Sequence, residues 1–245
     1  MGWDAGGYGE AFADVYDDWY AARGDEAHVV AALEALGPSE GPRRLLELGV
    51  GTGRLAIPLA ADGWSVVGLD SSREMLDRLR SKSAAGAIDA VLGDASDPAT
   101  VPIGPFDVVL AAFNFLCNLP DRASQARCLA AARGGVEVGG VLAVEAFVPD
   151  PHLTSGRVES HGPWTGVRIV SITDADAEVV EGEHVEADGR RRPWRVCLAG
   201  PAAVDAMAGA TGWTLAARTE DWAGTPFAPD ASPTHVSIYR AVSPP

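Results

Sequence analysis

The chain predicts an α/β fold: a doubly wound, mostly parallel sheet with an antiparallel C-terminal hairpin and an inserted antiparallel β subdomain. Three observations carry that expectation. From residue 45 to 148, apolar runs of strand length alternate with helix-patterned segments, and such alternation puts helices on both faces of a parallel sheet. The stretch "LLELGVGTGRLAIPLAADGWSVVGLD", Leu45 to Asp70, sets three alternating glycines between an apolar strand and a helix. After Pro149 the pattern becomes β-rich, with hairpin-type turns.

The elements follow in order. Residues 8–36 read as helical, with Val29, Leu33 and Leu36 on one face and Gly37 as the stop. Leu45 to Leu48 is a buried strand, Gly49, Gly51 and Gly53 form the turn, Arg54 to Ala61 is a helix stopped by Gly63, and Trp64 to Leu69 is the second strand. Ser71 and Glu74 make an S-x-x-E capping box for a helix running to about Arg80, with Met75, Leu76 and Leu79 inward. "AIDAVLGD", "FDVVLAAF" and "GGVLAVEAF" are strands three to five, and "DRASQARCLAAARGG" is the helix before the fifth. Open sheets of this kind bind ligands at the carboxyl ends of their strands, where Gly49, Asp70, Asp94 and Asn114 fall. "WTGVRIVSITDA", "AEVVEGEHVEA" and "RRPWRVCLAG" read as antiparallel strands, "PAAVDAMAGATG" as a helix, and "WTLAARTEDW" and "THVSIYR" as the closing strands. The expected division is a helical cap at 1–42, a core at 43–150 and 201–245, and an inserted sheet at 151–200 serving as acceptor lid or dimer surface.

Composition narrows the partners. With 245 residues and 47% hydrophobic content, the chain can bury a sizeable core. No apolar run reaches the ~18 residues of a membrane span, and "MGWDAGGYGE" lacks the order of a signal peptide, so a soluble cytoplasmic protein is expected. A net charge of −15 repels phosphate backbones and anionic bilayers, which argues against nucleic acid and membrane partners. Cys117, Cys128 and Cys197 match neither a disulfide framework nor a metal site and read as buried or half-buried free thiols; no metal is expected.

A glycine turn lets backbone approach a ligand, and a carboxylate at the next strand end, here Asp70, can accept from both ribose hydroxyls. The spacing is G-x-G-x-G, not the G-x-G-x-x-G of nicotinamide dehydrogenases, and Tyr-x-x-x-Lys is missing. Acids at Glu47 and Asp94 suit a cationic sulfonium better than a pyrophosphate. "LLELGVGTGR", "VVGLDSS" and "VLGDASD" resemble, in order and spacing, the first three motifs of class I S-adenosylmethionine-dependent methyltransferases. The resemblance covers about residues 43 to 150, and the flanks are similar in organisation to small-molecule members that include amino-sugar N-methyltransferases.

That resemblance implies a Rossmann-like core, S-adenosylmethionine as cofactor and S-adenosylhomocysteine as product. It implies that Gly49, Gly51 and Gly53 line the methionine part, with Glu47 holding the turn or, through water, the ammonium. Asp70, with Ser71 beside it, takes the ribose; Met75 packs on the adenine, Asp94 accepts from its amine with Ala95 nearby, and carbonyls near Ala112 reach the ammonium. Tyr16, Tyr20 and Arg23 close over the site, Arg23 towards the cofactor carboxylate, unless the tyrosines are simply helix core. "AAFNFLCNL", with Asn114, passes under the sulfonium, and Asn118 stands where amino-sugar relatives often carry His; Asn takes no proton at neutral pH.

Methyl transfer is an in-line displacement, so orientation in a dry site dominates, and a hydroxyl acceptor needs a base where a neutral amine does not. Glu145 is placed to anchor an amine or act as base, or is a satisfied strand-end residue; His161 is a wall residue or an exposed loop histidine. His184 and His235 read as cross-strand or surface packing, and Trp164 is a candidate wall of an apolar acceptor pocket. The expected function is methylation of nitrogen or oxygen of a small molecule in secondary metabolism, by a monomer or homodimer. The alternatives are a methyltransferase-fold protein with a non-methylating activity, a cyclase or scaffold, or an NAD-dependent oxidoreductase.

Overall fold

A computed structural model describes residues 7–243 except 22, 39, 83–85, 151 and 163–164. Three helices lead: α1 (Gly7–Phe12), α2 (Tyr16–Tyr20) and α3 (Glu26–Leu36). The core continues with β1 (Arg43–Leu48), α4 (Ala56–Ala61), β2 (Trp64–Asp70), α5 (Arg73–Ser81), β3 (Ile88–Leu92) and β4 (Phe106–Ala111). Next come α6 (Phe115–Asn118), α7 (Arg122–Gly134) and β5 (Val136–Phe147). Four strands follow: β6 (Gly156–His161), β7 (Arg168–Asp174), β8 (Val179–Val185) and β9 (Arg191–Cys197). The chain ends with α8 (Pro201–Ala210), β10 (Trp213–Thr219) and β11 (Thr234–Ala241).

The main sheet has the order β10-β11-β5-β4-β1-β2-β3. β1 to β5 pair in parallel, and β11 runs antiparallel to both β5 and β10. Strand alternation splits the core. Leu46, Leu48, Val109, Leu142 and Val144 face α7 and α8, while Leu45, Val66, Val108, Leu110 and Ala143 face α3, α4 and α5. Val29 and Leu33 are fully buried in the second layer, as the 3.6-residue pattern requires.

The second sheet, β6-β7-β8-β9, is antiparallel throughout. The N-terminal helices strap it to the core. Arg192 of β9 pairs with Asp14 and donates to the Ala11 carbonyl, while Glu10 accepts from Ser72 at 2.9 Å and Asp17 from Thr52 at 2.6 Å.

Several boundaries differ from expectation for local reasons. The 8–36 segment, read as two successive helical stretches, is three helices, because the first stretch is itself broken after Phe12. Ser72, not Ser71, caps α5: its backbone is extended and its hydroxyl accepts from the Met75 N–H at 3.2 Å. Two elements had no periodic signal, namely the one-turn α6 inside "AAFNFLCNL" and the wholly exposed edge strand β6. All three cysteines are buried and free. Among the described residues no helix is long and apolar enough to cross a membrane, and no group of three His, Cys, Asp or Glu could hold a metal.

Candidate active site

A cleft of about 320 Å³ opens over the carboxyl ends of β1, β2, β3 and β4. Its floor is the glycine turn. The Gly49 and Val50 amides both donate to the Leu69 carbonyl at the end of β2, which folds the chain back after β1. The three glycines then do different things. A Cβ on Gly49 would stand 2.2 Å from the Phe115 ring, and one on Gly53 2.3 Å from Leu79 of α5. A Cβ on Gly51 meets nothing nearer than a carbonyl at 4.0 Å: its backbone, at φ +55°, faces open cleft. Gly49 and Gly51 line the cleft, whereas Gly53 serves helix packing behind it, contrary to the expected cofactor contact.

Asp70 ends β2 with both carboxylate oxygens held: Oδ2 accepts from Gly51 N–H and Oδ1 from Ser72 N–H, each at 2.8 Å. Burial raises the Asp70 pKa while the backbone amides of Ser72, Gly51 and Ser71 oppose the rise. Asp94, fixed by the Ser96 amide at 2.8 Å, follows β3, and Ser71, Met75 and Ala95 complete that side.

After β4 the chain turns through two consecutive non-glycine residues of positive φ, Phe113 at 50° and Asn114 at 62°. β5 holds them. Glu145 Oε2 accepts from the Phe113 amide at 2.8 Å, the Glu145 carbonyl from the Asn114 amide at 3.0 Å, and Asn114 Oδ1 from the Phe147 amide at 2.6 Å. Ala112, Asn114 and Asn118 thereby reach the cleft wall.

The strap forms the roof with Tyr8, Gly9, Tyr16 and Tyr20. The Tyr8 and Tyr20 hydroxyls lie 3.3 Å apart, and the Tyr16 and Tyr20 rings are 4.8 Å apart. Burial pushes all three phenols upward, so they stay neutral. The inserted sheet supplies the far wall with Thr165, Ile169, His184 and Val196.

Four expected site residues stand elsewhere. Glu47 is buried on β1 behind the turn; burial pushes its carboxyl up to about 8 against the pull of Arg54, and its Oε2 has no hydrogen-bond partner among the described residues. Glu145 is engaged by Arg23 and the Phe113 amide, a satisfied ion pair rather than a free base, and Arg23 accordingly points at Glu145 and Asp25. His161 pairs with Arg168, the neighbour of Ile169; since Ile169 pairs with Ser160 and His184, alternation carries His161 to the face away from the cleft, where it is exposed. Trp164 lies outside the described residues.

Several wall residues went unread, among them Tyr8 of the roof, Phe113 of the turn and Thr165, Ile169 and His184 of the inserted sheet. The His184 ring sits among Phe12, Trp19 and Trp194 at centroid distances of 5.1, 5.5 and 6.3 Å. Burial and then the Arg192 charge push it down to about 4. The period-2 pattern of β8 placed it on a strand, but only the pairing with Ile169 shows which face looks into the cleft.

A family model described as a methyltransferase domain matches residues 45–140. A cypemycin N-terminal methyltransferase of a Streptomyces species is 37% identical over 90 residues, 37% of this chain and 36% of that protein. A demethylmenaquinone methyltransferase of Thermus thermophilus is 36% identical over 120 residues, 48% of this chain and 53% of that protein. The matched stretch thus spans a third to a half of those curated relatives. The solved structure of the CcbJ methyltransferase from Streptomyces caelestis is 33% identical over 98% of this chain and 100% of its own, with a TM-score of 0.87. The chain belongs to the class I S-adenosylmethionine-dependent methyltransferases. CalS10, an amino pentose methyltransferase from Micromonospora echinaspora, shares the fold at 23% identity and a TM-score of 0.69, covering 93% of this chain and 97% of its own.

The cofactor of this methyltransferase is S-adenosylmethionine, and the site fits it on two structural counts. The space over Gly51 is what a side chain would fill, and the Asp70 carboxylate lines the cleft beside it, at the end of β2, where it can accept from a diol.

Proposed function

We propose that this methyltransferase moves a methyl group to nitrogen of a small, uncharged acceptor held between α6 and the inserted sheet. The observation that carries the proposal is the charge contrast along the cleft. Both carboxylates lining it, Asp70 and Asp94, lie at the strand ends, while the other end presents Asn118, Thr165 and His184 beside Leu119, Phe147, Ile169 and Val196. No charged side chain lines that second end among the described residues.

Bound S-adenosylmethionine supplies a methyl group on an electron-poor sulfonium. The residues do the rest. In this reading Asp70 accepts from the ribose hydroxyls, Met75, Asp94 and Ala95 frame the adenine, and Gly49, Gly51 and Ala112 follow the methionine part. Tyr16 and Tyr20 exclude water, which strengthens every dipole left inside. Asn114 and Asn118 orient the acceptor. Among the described lining residues none is a base titrating near neutrality: His184 is pushed down to about 4 and the tyrosines are pushed up. An amine attacks through its lone pair and sheds its proton afterwards, so this wall favours nitrogen over hydroxyl oxygen. The similarity to a cypemycin N-terminal methyltransferase supports that preference and an acceptor from secondary metabolism. The net charge of −15 supports an enzyme without nucleic acid as partner.

Calorimetric titration with S-adenosylmethionine, S-adenosylhomocysteine and NAD tests the cofactor site, with Asp70→Ala alongside. Binding of the first two, lost in the variant, is the expected result, and binding of NAD alone overturns the proposal. Release of S-adenosylhomocysteine across a panel of matched amines, alcohols and carboxylates then tests the acceptor. Turnover confined to carboxylates would refute the uncharged wall.

A further inference from the structure

Glu145 sits near the carboxyl end of β5, 6% exposed, flanked by the buried Val144 and Ala146. A carboxylate there is costly unless both oxygens are engaged. They are, by two different parts of the molecule. Oε1 takes Arg23, which lies between α2 and α3 at the end of the strap; Oε2 takes the Phe113 amide at 2.8 Å, at the start of the positive-φ turn.

The same arginine grips the turn a second way. Its guanidinium stacks on the Phe113 ring at 4.3 Å from the centroid, Arg54 lies over that ring at 5.4 Å, and Tyr20 of the roof meets it edge-on at 5.1 Å. Asp25 ties Arg23 to Arg54. Two successive non-glycine residues in the left-handed region persist only where surroundings hold them, and here half of that hold arrives from the strap. Phe113, Asn114 and Tyr20 all line the cleft.

We propose that Glu145 is a positioning residue that couples the seating of the N-terminal strap to the shape of the cofactor end of the cleft, one oxygen holding Arg23 of the strap and the other the Phe113 amide of the strained turn. The strap and the turn then open together, and cofactor release passes through that joint opening. The inference rests on the reading that S-adenosylmethionine occupies this cleft. It assigns Glu145 neither acid nor base work.

The test follows dissociation of S-adenosylhomocysteine chased by excess sinefungin in wild type, E145Q, R23Q, R23K and the double variant E145Q/R23Q. Coupling through one ion pair predicts about tenfold faster dissociation in each Gln variant and no further acceleration in the double variant, with R23K in between because lysine keeps the charge but neither the fork nor the stacking. Hydrogen exchange supplies the second readout, needed in case E145Q folds poorly. S-adenosylhomocysteine protects residues 7–21 and 112–115 together in wild type, and in R23Q protection of both segments falls together although Arg23 belongs to neither. Additive rate effects, or loss of protection in one segment alone, would overturn the coupling while leaving the cofactor site intact. Wild-type protein that binds neither S-adenosylmethionine, S-adenosylhomocysteine nor sinefungin would overturn the cofactor reading itself, and the coupling with it.

Discussion

Gly9 of α1 rests on Ser72, the cap of α5, so closely that a Cβ on Gly9 would stand 2.3 Å from the Ser72 Cβ and 2.8 Å from its hydroxyl oxygen. Ser72 also donates to Glu10 and is bonded through its amide to Asp70. The roof of the cleft is thus seated directly on the segment that shapes the ribose end. Gly9→Ala pushes α1 off that seat. Overpacking of this kind costs about 1–3 kcal/mol, and the expected result is at least a tenfold loss of S-adenosylhomocysteine affinity in calorimetry with α1 exchanging faster. Unchanged affinity would show that α1 does not need its docked position to retain the cofactor.

Asp70 predicts a sharper penalty for an isosteric change than size suggests. Its oxygens accept two main-chain amides, Gly51 and Ser72, and an asparagine can answer only one of them, since its NH2 group faces the other donor. A buried donor left without an acceptor costs about 1–3 kcal/mol. Asp70→Asn therefore loosens the glycine turn as well as removing the ribose contact. The expected result is a hundredfold or greater loss of S-adenosylmethionine affinity together with a lower Tm in scanning calorimetry without cofactor.

How much of this was legible beforehand follows from what each signal encodes. The parallel sheet was readable because its strands are apolar on both faces and its helices amphipathic, and the glycine turn because Gly51 needs open space and a positive φ. The two walls that come from elsewhere in the chain were not. Period-2 patterning identifies a strand but not which of its faces a distant element covers, so His161 reads as a candidate wall residue and His184 as packing until pairing puts them on opposite faces, with His184 towards the cleft. Glu145 stays open between a working acid and a satisfied strand-end residue because nothing local announces that Arg23, 122 residues away, will meet it. Ser71 and Ser72 are adjacent hydroxyls, and only the extended backbone of Ser72 decides which of them caps α5.

Glu47 sets the alkaline side of the stability profile. Its carboxyl is pushed up to about 8 by burial, with Asp70 adding to the rise and Arg54 opposing it. Between its ordinary value near 4.5 and about 8 the folded state holds a proton that the unfolded state has released, so stability falls as pH rises through that window. The slope from one such group is at most about 1.4 kcal/mol per pH unit. Glu47→Gln keeps the shape without the titration. Its Tm is expected to exceed that of wild type at pH 8 and to converge with it near pH 5, and a parallel displacement at all pH values would refute the assignment.

His235 sets the acid side, with the opposite sign. Arg218 donates to Ser237 Oγ at 2.7 Å, and the same oxygen lies 2.7 Å from His235 Nδ1. The other ring nitrogen, Nε2, is buried without a hydrogen-bond partner among the described residues. Burial first, and then the Arg218 charge, push this histidine down to about 4, so between 6.5 and 4 the unfolded chain binds a proton that the folded one refuses. Stability is complete above pH 6.5 and is lost as pH falls towards 4, at up to about 1.4 kcal/mol per unit. His235→Phe removes both the titration and the unanswered ring nitrogen, offsetting the lost serine contact, and the neighbouring Phe227, 6.4 Å from the ring, offers an aromatic contact. Near-neutral stability at pH 7 with a flatter decline to pH 5 in urea titrations is the expected result. A decline as steep as that of wild type would place the acid-sensitive proton elsewhere, with His184 the next group to substitute.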